Sequence, residues 1–174
     1  MKRAILVILI CIPFVVTKVD AVGKKYVTFA TQNGTLFFVR PMTMSRNEGC
    51  SAAKHLVFDI TYLESDKDSV SFTSTIVTNN SESIDSVRIY LSNGMVLSTK
   101  TMPLYIEPSK SRNVMRVRFY LKWEQWKMLY SQNEPFTLDY GNHLLFSHNK
   151  KKWDKVKVSM NNIINLIEQN ENLK

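Results

Sequence analysis

"HLVFDITYLE", His55–Glu64, places Leu56, Phe58, Ile60 and Tyr62 on one face, with Asp59 and Thr61 on the other. Successive side chains of a strand point to opposite sides of a sheet, so this is the pattern of a strand with one dry and one wet face. The rhythm recurs downstream. "DSVSFTSTIVT", Asp68–Thr78, turns Val70, Phe72 and Ile76 inward. "NVMRVRFYL", Asn113–Leu121, separates Met115, Val117, Phe119 and Leu121 from Arg116, Arg118 and Tyr120. Half-polar strands of this kind suit antiparallel sheets that keep one side in water.

The segments around these strands supply the turns. "KYVTFATQNGTLFFVR", Lys25–Arg40, is two β-type runs joined at Asn33-Gly34, and "SVRIYLSNGMVLSTK", Ser86–Lys100, repeats the device at Asn93-Gly94. Both residue types tolerate positive φ, which tight hairpins require. "PFTLDYGNHLLFS", Pro135–Ser147, reads as a third hairpin turning at Gly141-Asn142. The sum is about eight or nine strands without regular strand-helix alternation. The expected fold is therefore mainly β with α (α+β), an antiparallel β-sandwich or barrel.

Two segments break the alternation. In "KWEQWKMLYSQ", Lys122–Gln132, Trp123, Trp126 and Tyr130 share one helical face. A short connecting helix pressed onto the sheet follows, with the rings as core and the lysines as solvated flanks. In "WDKVKVSMNNIINLIEQNE", Trp153–Glu171, the residues Trp153, Val156, Met160, Ile163, Ile164 and Ile167 follow helical spacing. This predicts a C-terminal amphipathic helix over 152–171, buried across a sheet face or in an open end.

The N-terminus has its own character. Lys2 and Arg3 precede an apolar run from Ala4 to Val16, too short to span a bilayer and typical of a signal-peptide core. Val19 and Ala21 are the small residues expected before a cut, so residues 1–21 read as a signal peptide and 22–174 as one β-rich domain. Cys11 does not mark a lipoprotein, because the bulky Ile10 precedes it and it comes too early. No later stretch is long and apolar enough for a transmembrane helix. Cleavage leaves Cys50 alone, which excludes an internal disulfide and fits a bacterial envelope protein better than a eukaryotic secreted domain. Asn33 and Asn79 stand in glycosylation patterns that matter only in a eukaryote.

The full chain has 23 basic and 15 acidic residues; without Lys2, Arg3, Lys18 and Asp20 it keeps 20 and 14, a net +6. A moderately basic exported chain suits a protein or an anionic envelope component as partner, and export makes nucleic acid the poorest fit. The candidate binding residues are the basic ones on two predicted outer faces: Arg116 and Arg118 on a strand, and Lys151, Lys152 and Lys155 at the start of the last helix.

Catalytic chemistry finds little footing. There is no nucleophile elbow, phosphate loop, His-Glu-x-x-His or paired-cysteine spacing. Cys50, His55 and Asp59 carry the residue types of a nucleophile, base and orienter. Four residues along a strand, however, separate His55 from Asp59 by about 13 Å. His143 and His148, five apart along a strand, point to opposite faces and, unless a turn intervenes, cannot share a metal. "ESDKD", Glu64–Asp68, lacks the Gly and closing Glu of a calcium loop and reads as a solvated hairpin tip. No cofactor and no metal are expected. The leading expectation is non-catalytic binding or assembly in a bacterial envelope, periplasmic or extracellular. A barrel-type carrier of an apolar small molecule comes second, and a hydrolase with a Cys50/His55 dyad third.

Overall fold

The computed structural model describes residues 25–46, 55–78, 83–109, 112–141 and 144–172. The chain runs β1 (Tyr26–Thr31), β2 (Gly34–Arg46), β3 (His55–Leu63), β4 (Ser69–Thr78), β5 (Ser86–Tyr90), β6 (Val96–Ser109), β7 (Arg112–Lys122), α1 (Trp123–Ser131), β8 (Thr137–Asp139), β9 (Leu145–Ser147) and α2 (Lys150–Asn172). Every strand pairing is antiparallel. The order β2-β3-β4-β7-β6-β5-β8-β9 closes on itself through a β2–β9 pairing, so eight strands form a barrel and β1 extends it outside the ring. The expected sheet is thus a barrel rather than a sandwich.

Closure rests on very short strands. β9 meets β2 only at Ser45↔Ser147 and Arg46↔Phe146, while β1 covers the same edge of β2 from Gly34 to Val39. Between these two stretches the register of β2 against β3 slips from Val39 to Met42. The Asn33-Gly34 turn is set by its glycine. Gly34 has φ +105°, and a Cβ there would lie 3.1 Å from Glu64 Oε2, the oxygen that accepts a 2.9 Å hydrogen bond from Thr35 N. Gly94 and Gly141 also take positive φ at the other two predicted turns.

The alternating residues meet in the interior. Leu56, Phe58, Ile60 and Tyr62 are buried with Val70, Phe72 and Ile76, and with Met115, Val117, Phe119 and Leu121. Phe72 stacks against Phe58 at 6.3 Å and against Phe119 at 5.2 Å, joining β3, β4 and β7 through one column of rings. The predicted connecting helix is present as α1. Trp126 and Tyr130 are fully buried, and Trp123 packs partly buried against the same core. The rings of that helix are core, whereas Tyr120 just before it is exposed.

α2 runs antiparallel to α1. Lys127 pairs with Glu168 at 2.9 Å, Asn161 donates to Tyr130 O, and Trp153 Nε1 and Lys157 both donate to Gln132 O. Its predicted stripe is buried at Trp153, Met160, Ile163, Ile164 and Ile167, with Val156 partly covered. Near its end Glu171 accepts from the Tyr62 hydroxyl. No described helix is long and apolar enough to cross a membrane.

One part of the barrel reaches past its neighbours. β5 pairs with β6 only as far as Lys100, but β6 continues along β7 to Ser109. From Met102 to Pro108 every residue of this arm is exposed. Pro103 and Pro108 both lie on the overhanging stretch.

Candidate functional site

The outer wall of β3, β4, β7 and β6 collects the polar half of the alternating pattern. Arg116 stands between Thr75 and Tyr105, and Arg118 between Thr73 and Met102. Tyr120 follows on the same face, opposite Ser71. Met102, Tyr105 and Tyr120 are exposed, with 52%, 38% and 44% of their surfaces in solvent. Two guanidiniums therefore lie among three large, solvent-facing apolar or aromatic side chains.

The two arginines are held differently. Arg116 reaches across β4 to Asp59 on β3, with Nη2 3.3 Å from Oδ2. Asp59 was expected on a wet face, yet it is 8% exposed. Burial raises its carboxyl above the ordinary range, and Arg116 and Arg118 offset part of that rise. Arg118 donates from Nε to Thr73 Oγ1 at 3.4 Å and forms no ion pair among the described residues. Its remaining N–H groups are available for a planar anion, which a guanidinium holds through two parallel hydrogen bonds.

Beside Arg118 the wall is concave. A cleft of about 370 Å³ has Leu36 and Leu63 as its apolar part, Thr61, Ser69 and Ser71 as hydroxyls, and Asp66, Arg118 and Tyr120 around it. The turn residues Ser65–Asp68 are exposed, as a solvated hairpin tip requires. Glu64 instead turns inward and is 7% exposed.

The five candidate basic residues form two groups. Arg116 and Arg118 share the outer face of β7. Lys151, Lys152 and Lys155 are exposed on the first turns of α2, whose opposite side is buried. Lys155 lines a different open cleft, with Lys25, Asp154 and Ser159. Arg118 and Lys155 border two different clefts. Pattern reasoning picked out the arginines but not Met102, Tyr105, Tyr120 or the concavity. The signal for Tyr120 was its place on the arginine face. Tyr105 and Met102 carried none, because their neighbours come from the β6–β7 register.

Cys50 and His143 lie outside the described residues, and His55 is described only as the first residue of β3. His148 lies in a box of rings: Phe58, Phe136 and Trp153 have centroids 5.6–5.8 Å from its own. Its Nε2 is buried without a hydrogen-bond partner, and burial lowers its pKa to about 4. A neutral imidazole fixed in an aromatic core is placed to pack. No three His, Cys, Asp or Glu side chains among the described residues gather as a metal site.

No protein-family model matches this chain, and neither a curated protein nor a solved structure proves similar to it.

Proposed function

We propose that this is an exported, non-catalytic binding or assembly protein of a bacterial envelope or the extracellular space, and that it presents the outer wall of β7 and β6 to a protein partner. One observation carries the reading: Arg118, free of ion pairs among the described residues, stands amid exposed Met102, Tyr105 and Tyr120. Tyr, Met and Arg are enriched at protein interfaces, and Tyr and Arg where those interfaces concentrate their energy. The partner contributes a carboxylate to Arg118 and an apolar residue to the cleft beside it. The basic N-terminal segment with its short apolar run supports export.

A carrier whose cargo lies inside the barrel is the second reading. The rings of Phe58, Phe72, Phe119, Trp126, Tyr130 and Trp153 occupy the space such a cargo needs, which favours the wall over the lumen.

Photo-crosslinking from positions 105 and 120 in the producing cell tests the proposal. A discrete adduct is expected, and Arg118→Glu, with an unchanged thermal melt, is expected to abolish it. Adducts that persist in Arg118→Glu, or no adduct from either position, overturn the interface.

A further inference from the structure

Among the described residues β2 has a gap along one edge. The β1 register ends at Val39, with one further bond from Arg40 N to Lys25 O, and β9 begins only at Ser45, so no described strand covers the stretch between them on that side. The same stretch carries the register slip against β3, and irregularities of this kind re-aim side chains and break pairing beside sites. α2 lies behind the gap. Val39, Pro41 and Met42 from the strand, with Val156 and Met160 from the helix, line a cleft of about 210 Å³. Lys25 and Arg40 complete its lining. Both are exposed, and neither side chain makes an ion pair among the described residues. Their backbones are tied together by Arg40 N donating to Lys25 O at 2.8 Å. The described lining has no acid, and the neighbouring cleft sets one, Asp154, against Lys25 and Lys155, so positive charge prevails there.

We infer that this window in the barrel wall is a binding site for a medium-chain carboxylate, its aliphatic tail against Pro41, Met42 and Val156 and its head between Lys25 and Arg40. Apolar walls with a few convergent polar groups are the usual make-up of a small-molecule site. Methionines adapt to flexible aliphatic chains. The cleft is short. At about 210 Å³ it suits a chain of medium length, for which octanoate is the probe. The site is separate from the outer face of β7, so the two proposals stand or fall independently.

Calorimetric titration of the full chain with octanoate, butanoate and octanol tests the inference. Octanoate should saturate one site. Each buried methylene is worth about fourfold in affinity, so butanoate, four methylenes shorter, should bind about 250-fold more weakly if all four are buried. Octanol, with the same tail and no charge, should also be weaker. Lys25→Gln with Arg40→Gln should bring octanoate down to the level of octanol. Val156→Trp, which fills the cleft and keeps both cations, should remove binding of all three. Methyl-labelled methionine spectra locate the ligand: the resonance of the partly buried Met42 should move while those of the fully buried Met44 and Met115 stay. No saturation with octanoate up to about 10 mM, a regime where binding is negligible, overturns the inference. So does octanoate binding that ignores both the cation pair and Val156→Trp, or one that leaves Met42 unmoved.

Discussion

Two buried tyrosines should respond with opposite signs to the same substitution. Tyr130 is fully buried, its ring edge-on to Phe136 and stacked on Trp153, and its hydroxyl has no hydrogen-bond partner. Tyr140 is almost as buried, but its hydroxyl lies 2.6 Å from Ser74 Oγ. A buried polar group without a partner costs about 1–3 kcal/mol. Tyr130→Phe keeps the ring and removes that burden, so the folded state should gain roughly 1–2 kcal/mol. Tyr140→Phe strands the Ser74 hydroxyl instead, and stability should fall by about 1–3 kcal/mol. In a chain of this size each kcal/mol moves the melting temperature by about 2–4 °C. Urea unfolding followed by fluorescence, with calorimetric melts, should show Tyr130→Phe melting a few degrees above the parent and Tyr140→Phe a few degrees below. Adding Ser74→Ala to Tyr140→Phe should recover part of the loss, because neither hydroxyl is then left alone. A loss of about 1 kcal/mol or more in Tyr130→Phe would refute the reasoning, since the hydroxyl would then have a partner such as an ordered water.

Acidification should probe His148. Its pKa is lowered to about 4 in the fold, so between the unfolded value near 6.5 and that point the unfolded chain binds the extra proton and stability falls with pH. From pH 6.5 to 4.5 the loss should be roughly 2–3 kcal/mol, and His148→Phe should remove that part of the slope; urea midpoints across the range with an equal slope in both proteins would contradict it. Removal of α2 should be severe. Each of Trp153, Met160, Ile163, Ile164 and Ile167 is buried, and each contributes about 1.5–3 kcal/mol against the roughly 5–15 kcal/mol of a whole domain. Residues 22–149 should give an aggregating or molten product by solubility and near-UV circular dichroism, and a soluble, well-folded one would make α2 a detachable arm.

The strands were legible wherever one face is dry, because alternation is a local property. Leu56 through Tyr62 and Met115 through Leu121 are buried as their spacing demands. Both helices and all three glycine turns were equally readable. Barrel closure was not. It depends on three-residue strands, Thr137–Asp139 and Leu145–Ser147, and on two residue pairs between segments about a hundred positions apart. No local pattern encodes a pairing at that separation. Asp59 shows the same limit within the candidate site. Its place on the polar face was plain, but its cover is Arg116, brought from two strands away. The wall cleft likewise joins Leu36, Leu63 and Arg118, which only the sheet order places side by side.

The prolines of the β6 arm have a consequence for how this protein survives at high concentration. A strand with one neighbour is a template on which further copies can grow, and exposed apolar residues make that growth easier. The amide of Thr101 points away from β7, to Asp85 O. Pro103, two positions on, has the same orientation, and there the donor that a newcomer would need is missing. Pro108 removes a second donor from the overhang without costing the β7 ladder anything. The arm can thus hold Met102 and Tyr105 out to water while withholding the backbone hydrogen bonds that would extend one barrel wall into a fibril.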